Sequence, residues 1–147
     1  EAGKYKPTNG SSACSLCTPG RYSTGLAEVL ESTCVHCPNH THSDFGSSIK
    51  TNCTCNKGYY GDDGEECSEC EAGKYKPTNG SSACSLCTPG RYSTGLAEVL
   101  ESTCVHCPNH THSDFGSSIK TNCTCNKGYY GDDGEECSEC EAGKYKP

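Results

Sequence analysis

The sequence predicts a small disulfide-rich fold, mostly irregular with short β-hairpins, arranged as a tandem array. Three observations predict it. The chain of 147 residues holds 16 cysteines, a density at which a short chain reads as a disulfide scaffold. Only 31% of its residues are apolar, cysteine and tyrosine included, with no Met, no Trp and two Phe. Residues 71–147 reproduce residues 1–77 at every position. A chain this poor in core residues cannot offset the conformational entropy of folding by burial alone, so covalent links must take that role.

The period is 70, and Glu1-Ala2-Gly3-Lys4-Tyr5-Lys6-Pro7 returns at Glu71 and again at Glu141. The expected organisation is a repeat over 1–70, an identical one over 71–140, and the start of a third over 141–147. The pattern starts and stops within itself, without the atypical units that cap most arrays, so a window of a longer array is expected.

Several functions are disfavoured at once. The net charge of −7 argues against nucleic acid, whose phosphates need a basic surface. The longest apolar stretch, Leu26-Ala27-Glu28-Val29-Leu30, falls short of the roughly 20 residues that cross a bilayer. No Ser or Cys is placed as a nucleophile, and repetition suits an array better than a catalytic site, which needs one specific arrangement. No enzyme activity, cofactor or metal is expected.

Within one repeat the elements follow from turn and strand signals. Asn9-Gly10, Thr18-Pro19-Gly20, Phe45-Gly46-Ser47-Ser48 and Asp62-Asp63-Gly64 mark turns. Gly3-Lys4-Tyr5-Lys6, Gly20-Arg21-Tyr22-Ser23 and Lys57-Gly58-Tyr59-Tyr60 suit two- or three-residue strands. Leu26 to Ser32 suits a single helical turn.

The eight cysteines of a repeat are Cys14, Cys17, Cys34, Cys37, Cys53, Cys55, Cys67 and Cys70. Cys14-x2-Cys17-x16-Cys34-x2-Cys37 also has zinc-ribbon spacing, with His36, His40 and His42 beside it. The next cysteines keep a different rhythm, Cys53-x-Cys55-x11-Cys67, which two tetrahedral sites would not explain. Disulfides are the reading taken, with the histidines as solvated loop residues.

The run from Cys53 to Cys67, Cys-x-Cys-x2-Gly-Tyr-Tyr-Gly-x5-Cys, is the most specific motif. It is similar to the C-terminal half of an EGF-like module. With Cys34-Val35-His36-Cys37-Pro38-Asn39-His40-Thr41-His42-Ser43 and Gly46-Ser47-Ser48 upstream, it resembles the cysteine-rich ephrin-receptor-like module. Thr41 stands where that pattern often has Ser. Cys17 to Tyr22 and Cys70 to Tyr75 repeat Cys-x2-Gly-x-Tyr elements that are, more loosely, similar to tumour-necrosis-factor-receptor repeats. The resemblance implies an elongated tandem array of EGF-like modules.

It also implies the EGF pairing of first with third, second with fourth and fifth with sixth. Carried over, this gives Cys17–Cys37, Cys34–Cys53 and Cys55–Cys67, with Cys70–Cys84 as an added sequential loop. The second copy follows as Cys87–Cys107, Cys104–Cys123 and Cys125–Cys137, and Cys14 and Cys140 are left over. A competing scheme, Cys14–Cys34, Cys17–Cys37, Cys53–Cys67 and Cys55–Cys70, closes every cysteine within the chain. Connectivity stays open at the level of sequence.

Three Asn-x-Ser/Thr sequons occur per repeat, at Asn9, Asn39 and Asn52, and again at Asn79, Asn109 and Asn122. They point to a secreted or cell-surface glycoprotein. Asp62-Asp63-Gly64-Glu65-Glu66 lacks the spacing of a calcium loop and reads as a solvated acidic turn. Leu26, Val29 and Leu30, with Val35, Phe45 and Ile49, either tuck under the chain or present an apolar patch that recurs every 70 residues. The functional expectation is a structural component of an extracellular filament, surface hair or coat, self-associating through such patches. The alternative is a receptor ectodomain or stalk.

Overall fold

The computed structural model describes residues 1–147. It divides into two compact units, Glu1–Ser68 with Thr78–Ala83, and Glu69–Pro77 with Cys84–Pro147. No α-helix forms, and no helix is long and apolar enough to cross a membrane. The fold is a small disulfide-rich one, built from two-residue antiparallel strands and single turns of 3-10 helix.

In the first unit Lys4–Tyr5 pairs with Ser15–Leu16, Arg21–Tyr22 with Val35–His36, and Thr41–His42 with Thr54–Cys55. Tyr59–Tyr60 opens a fourth hairpin. The second unit pairs Lys74–Tyr75 with Ser85–Leu86, Arg91–Tyr92 with Val105–His106, and Thr111–His112 with Thr124–Cys125. Its fourth hairpin pairs Tyr129–Tyr130 with Ser138–Glu139. A hairpin this short is marginal in water by itself.

Each hairpin begins at a residue with positive φ: Gly3 at 76°, Gly20 at 78°, His40 at 60° and Gly58 at 78°. The next two residues form the outgoing strand. Its return is fixed by one recurring bond, in which the backbone N–H of Cys17, Cys37 or Asn56 donates to the carbonyl of Gly3, Gly20 or His40 at 2.8–2.9 Å. The 70-residue repeat is therefore a succession of four hairpins, and every hairpin but the first of the first copy, which holds the unpaired Cys14, carries one disulfide.

Those disulfides are Cys17–Cys34, Cys37–Cys53 and Cys55–Cys67 in the first unit. The second unit has Cys70–Cys84, Cys87–Cys104, Cys107–Cys123 and Cys125–Cys137. Cys14 and Cys140 are unpaired. This corrects two of the pairings that the EGF resemblance implies. Cys17 joins Cys34 rather than Cys37, and Cys37 joins Cys53, with the same change at Cys87–Cys104 and Cys107–Cys123. The competing scheme fails at every bond. The physical reason lies in the two-residue strand Val35–His36, which Cys34 and Cys37 flank. Residues three apart on extended chain face opposite sides, so Cys34 turns back to Cys17 and Cys37 turns onward.

Of Leu26 to Ser32, where one helical turn is expected, only Glu31 and Ser32 enter one. Ala27 has φ of 55°, and Glu28 is held by a parallel bridge to Tyr5, its carbonyl accepting the Lys6 N–H at 2.9 Å. The single helical turn falls later, at Glu31–Thr33, where it delivers Cys34 to its partner.

The core is sulfur. The buried hydrophobic residues are all cysteines, with Cys17, Cys53, Cys55, Cys70, Cys87 and Cys123 fully buried. Successive hairpins are joined by backbone bonds around small residues. Gly3 N–H donates to the Ser23 carbonyl at 2.7 Å, Gly20 N–H to Ser43 at 2.9 Å, and Ser23 N–H to Ser47 at 3.1 Å. These serines are buried, and the Ser43 hydroxyl returns a bond to the Arg21 carbonyl at 3.0 Å. Burial is tolerable because the polar groups are paired.

The loops span sequence separations of 12 to 17, a range in which each disulfide stabilises by about 3 kcal/mol through the unfolded chain. Dithiothreitol is therefore expected to abolish the folded signal in near-ultraviolet circular dichroism, while EDTA leaves it unchanged. Loss of structure in EDTA alone would restore the zinc reading. Non-reducing peptide mapping is expected to recover Cys17 linked to Cys34; recovery of Cys17 linked to Cys37 would overturn the sequential pairing.

Candidate functional site

No group of His, Cys, Asp and Glu side chains is placed to hold a metal ion. The chemistry of the molecule lies on its surface, in apolar side chains, asparagine sequons, an acidic turn and a histidine–tyrosine stack.

The apolar residues are presented to solvent within each unit. In the first, Leu26 is 74% exposed, Leu30 57% and Phe45 66%. In the second, Leu96, Leu100 and Phe115 are exposed at 56%, 59% and 66%. Val35 and Ile49 are exposed too. The reason is local. The backbone of Tyr5 and Lys6 takes up Glu28, so the neighbouring Leu26, Val29 and Leu30 are left on the outer side of the loop. No sheet or helix face exists to cover them.

All six sequon asparagines are exposed. Asn9 lies in the exposed loop between Lys4–Tyr5 and Ser15–Leu16. Asn39 donates from Nδ2 to Glu66 Oε1 at 3.2 Å, and Asn109 does the same to Glu136. Asn52 ends the 3-10 turn Lys50–Asn52, its Oδ1 accepting the backbone N–H of Ser48 and Ile49 at 3.1 and 3.2 Å. Asn122 repeats this with Ser118 and Ile119. Asn79 accepts the Lys57 N–H on Oδ1 at 3.0 Å.

The acidic turn is tied to the chain by ion pairs. Lys50 Nζ meets Glu65 Oε1 at 2.9 Å, and Lys120 meets Glu135 at the same distance. The hydrogen bond that Lys120 donates to the Glu135 carboxylate holds the Lys120 ammonium above the usual lysine range. A raised lysine pKa contributes stability that is fully present below pH 10.5 and is lost only as pH rises through the folded value. That contribution of Lys120 is thus constant across the neutral range. Being exposed, the pair contributes little.

Of the three histidines weighed as ligands, His36 is exposed on its strand. His42 Nδ1 lies 3.0 Å from Asn56 Oδ1, which fixes the third hairpin. His40 stacks on Tyr59 with ring centroids 4.1 Å apart and an interplanar angle of 7°. Sequence reasoning missed His40 as a turn residue, because it occupies the left-handed position that glycine fills in the other hairpins. It also missed Asn56 and the buried serines Ser23, Ser43 and Ser47, since serine in a polar run gives no burial signal.

The geometry can be set beside known proteins. Residues 58–98 match the family described as tyrosine-protein kinase ephrin type A/B receptor-like. This stretch holds the hairpins begun by Gly58 and Gly73 and the opening of the one begun by Gly90. The chain is also 35% identical over 97 residues, 65% of its length, to the sushi, von Willebrand factor type A, EGF and pentraxin domain-containing protein 1 of Rattus norvegicus. The Mus musculus protein of the same name matches to the same extent. The chain spans 2% of the length of these relatives. Residues 58–98 are thus similar to a cysteine-rich module of the ephrin-receptor-like kind, and abundant disulfides are the chemistry of oxidising, extracellular surroundings.

Two substitutions test the local geometry. A methyl group on Gly73, whose φ is 82°, would lie 2.2 Å from the Gly116 carbonyl oxygen. Gly73→Ala is expected to destabilise the second unit by more than the ~1–2 kcal/mol of left-handed backbone strain alone, read as a lower urea midpoint. At His40 the left-handed strain opposes a stack worth about 0.5–1.5 kcal/mol. His40→Ala keeps the strain and loses the stack, so it is expected to be less stable than His40→Gly.

Proposed function

We propose that the chain is a structural segment of an extracellular filament, surface hair or coat, in which disulfides give rigidity and repetition gives length. The reading rests on one observation above others. The repeat is reproduced without a single difference, and the same leucines and phenylalanine stand exposed in both copies. Identical apolar patches along one chain multiply a weak contact with a second copy into a strong one. A receptor that reads one specific ligand would let one copy diverge to carry the binding face, and no copy here differs. On this reading the segment is not an enzyme, uses no cofactor and binds no nucleic acid, and its location is outside the cell or on its surface.

N-glycans on Asn9, Asn39, Asn52, Asn79, Asn109 and Asn122 belong to the same proposal. Each asparagine is exposed. Glycans there would cover a surface that has no hydrophobic core beneath it.

A ligand-binding ectodomain or stalk is the second reading, favoured by the match of residues 58–98 to an ephrin-receptor-like family. Electron microscopy of native material separates the two. Filaments with a regular axial repeat are expected, whereas dispersed particles that bind a protein ligand would replace the structural reading with the receptor one. Replacing Leu26, Leu30, Leu96 and Leu100 with Ser is expected to disperse assemblies in sedimentation while leaving all seven disulfides formed. Assemblies that persist in this variant would remove the apolar patch as their cause.

A further inference from the structure

The sequon Asn52-Cys53-Thr54 differs from the other two in how the fold holds it. Its middle residue is 0% exposed and bonded to Cys37. Its third residue lies in the strand Thr54–Cys55, paired with Thr41–His42. Its asparagine closes a 3-10 turn, with Oδ1 committed to two backbone N–H groups. Asn122-Cys123-Thr124 is held in the same way, with Cys123 bonded to Cys107. Asn9-Gly10-Ser11, by contrast, is exposed at all three positions.

A transferase that modifies asparagine must take hold of the backbone on both sides of it and engage the hydroxyl two residues on. Once Cys37–Cys53 closes, that segment is no longer a free chain. Release would require loss of a strand, a turn and a covalent bond together. The product is nevertheless compatible with the fold. Asn52 is exposed, its hydrogen bonds use Oδ1, and a glycan attaches at Nδ2.

We propose that closure of Cys37–Cys53 and of Cys107–Cys123 gates glycosylation at Asn52 and Asn122, so that each site is filled before its disulfide forms or not at all. In the transfer, Nδ2 attacks the anomeric carbon of a lipid-pyrophosphate-linked oligosaccharide. The new C–N bond forms as the C–O bond to pyrophosphate breaks, the lipid pyrophosphate leaves, and the amide loses one proton. The inference rests on the glycoprotein reading above and adds an order of events to it.

The test is site occupancy by glycopeptide mass spectrometry on the full chain secreted from eukaryotic cells. Asn9 is expected to be filled, and Asn52 and Asn122 only in part. Cys37→Ser removes the gate without touching the sequon, and should raise occupancy at Asn52 at least twofold while Asn9 and Asn122 stay constant. Cys107→Ser should act on Asn122 alone. Cys17→Ser, which removes a neighbouring disulfide, should leave Asn52 unchanged. Asn52 filled to the level of Asn9 in the unaltered chain would overturn the gate and leave the glycoprotein reading intact. So would no response to Cys37→Ser, or an equal response to Cys17→Ser. Absence of glycan at every site in every variant would overturn both.

Discussion

The fold depends on one covalent contact made repeatedly, a disulfide from the cysteine that precedes a left-handed turn to the cysteine that precedes the returning strand. A two-residue strand pair has too few hydrogen bonds to persist in water, and this chain offers no apolar layer to support it. The disulfide supplies both needs. It holds the two strands within bonding distance, and its sulfur atoms are the buried apolar matter of the hairpin. The tight turns follow from this economy. Gly3 admits the Gly46 carbonyl where any side chain would collide, and Ser23 and Ser43 are small enough to lie under the preceding turn.

Much of this was legible in the residues. The density of cysteine, the turn signals and the three Gly-x-Tyr or Gly-Tyr-Tyr runs located three of the four outgoing strands of a repeat. Thr41–His42 was hidden because His40 stands in place of glycine, and a left-handed histidine stacked on Tyr59 has no sequence signature. The pairing was not legible either. Cys34 and Cys37 are neighbours in sequence, and only the extended backbone between them decides which faces back and which faces on. A pairing carried over from a related module could not supply that.

The surface residues were legible as a pattern and not as a placement. Leu26, Val29 and Leu30 suited a buried helical turn as well as an exposed loop. The bridge from Tyr5 to Glu28 decides for the loop, since it spends the backbone of this segment on a strand contact. The sequons could be counted in the sequence, but their differing accessibility depends on which cysteine is joined to which. Asn52 and Asn9 are the same three-residue signal in very different mechanical settings.

The sequential pairing also fixes how the chain carries load. Tension applied along the backbone enters a hairpin at Cys17, crosses the sulfur bridge to Cys34, and continues through Val35 and His36 to Cys37. From there it crosses to Cys53, passes Thr54 to Cys55, and crosses again to Cys67. The loops between bridged cysteines lie off this path. They bear no force and release no slack. A pulled chain of this kind can lengthen only by straightening the short links between bridges, at most about 3.6 Å for each linking residue. Where an ordinary domain under tension unravels, this one is held by covalent bonds at a nearly constant length, and the reach of the loops is kept out of the stretch.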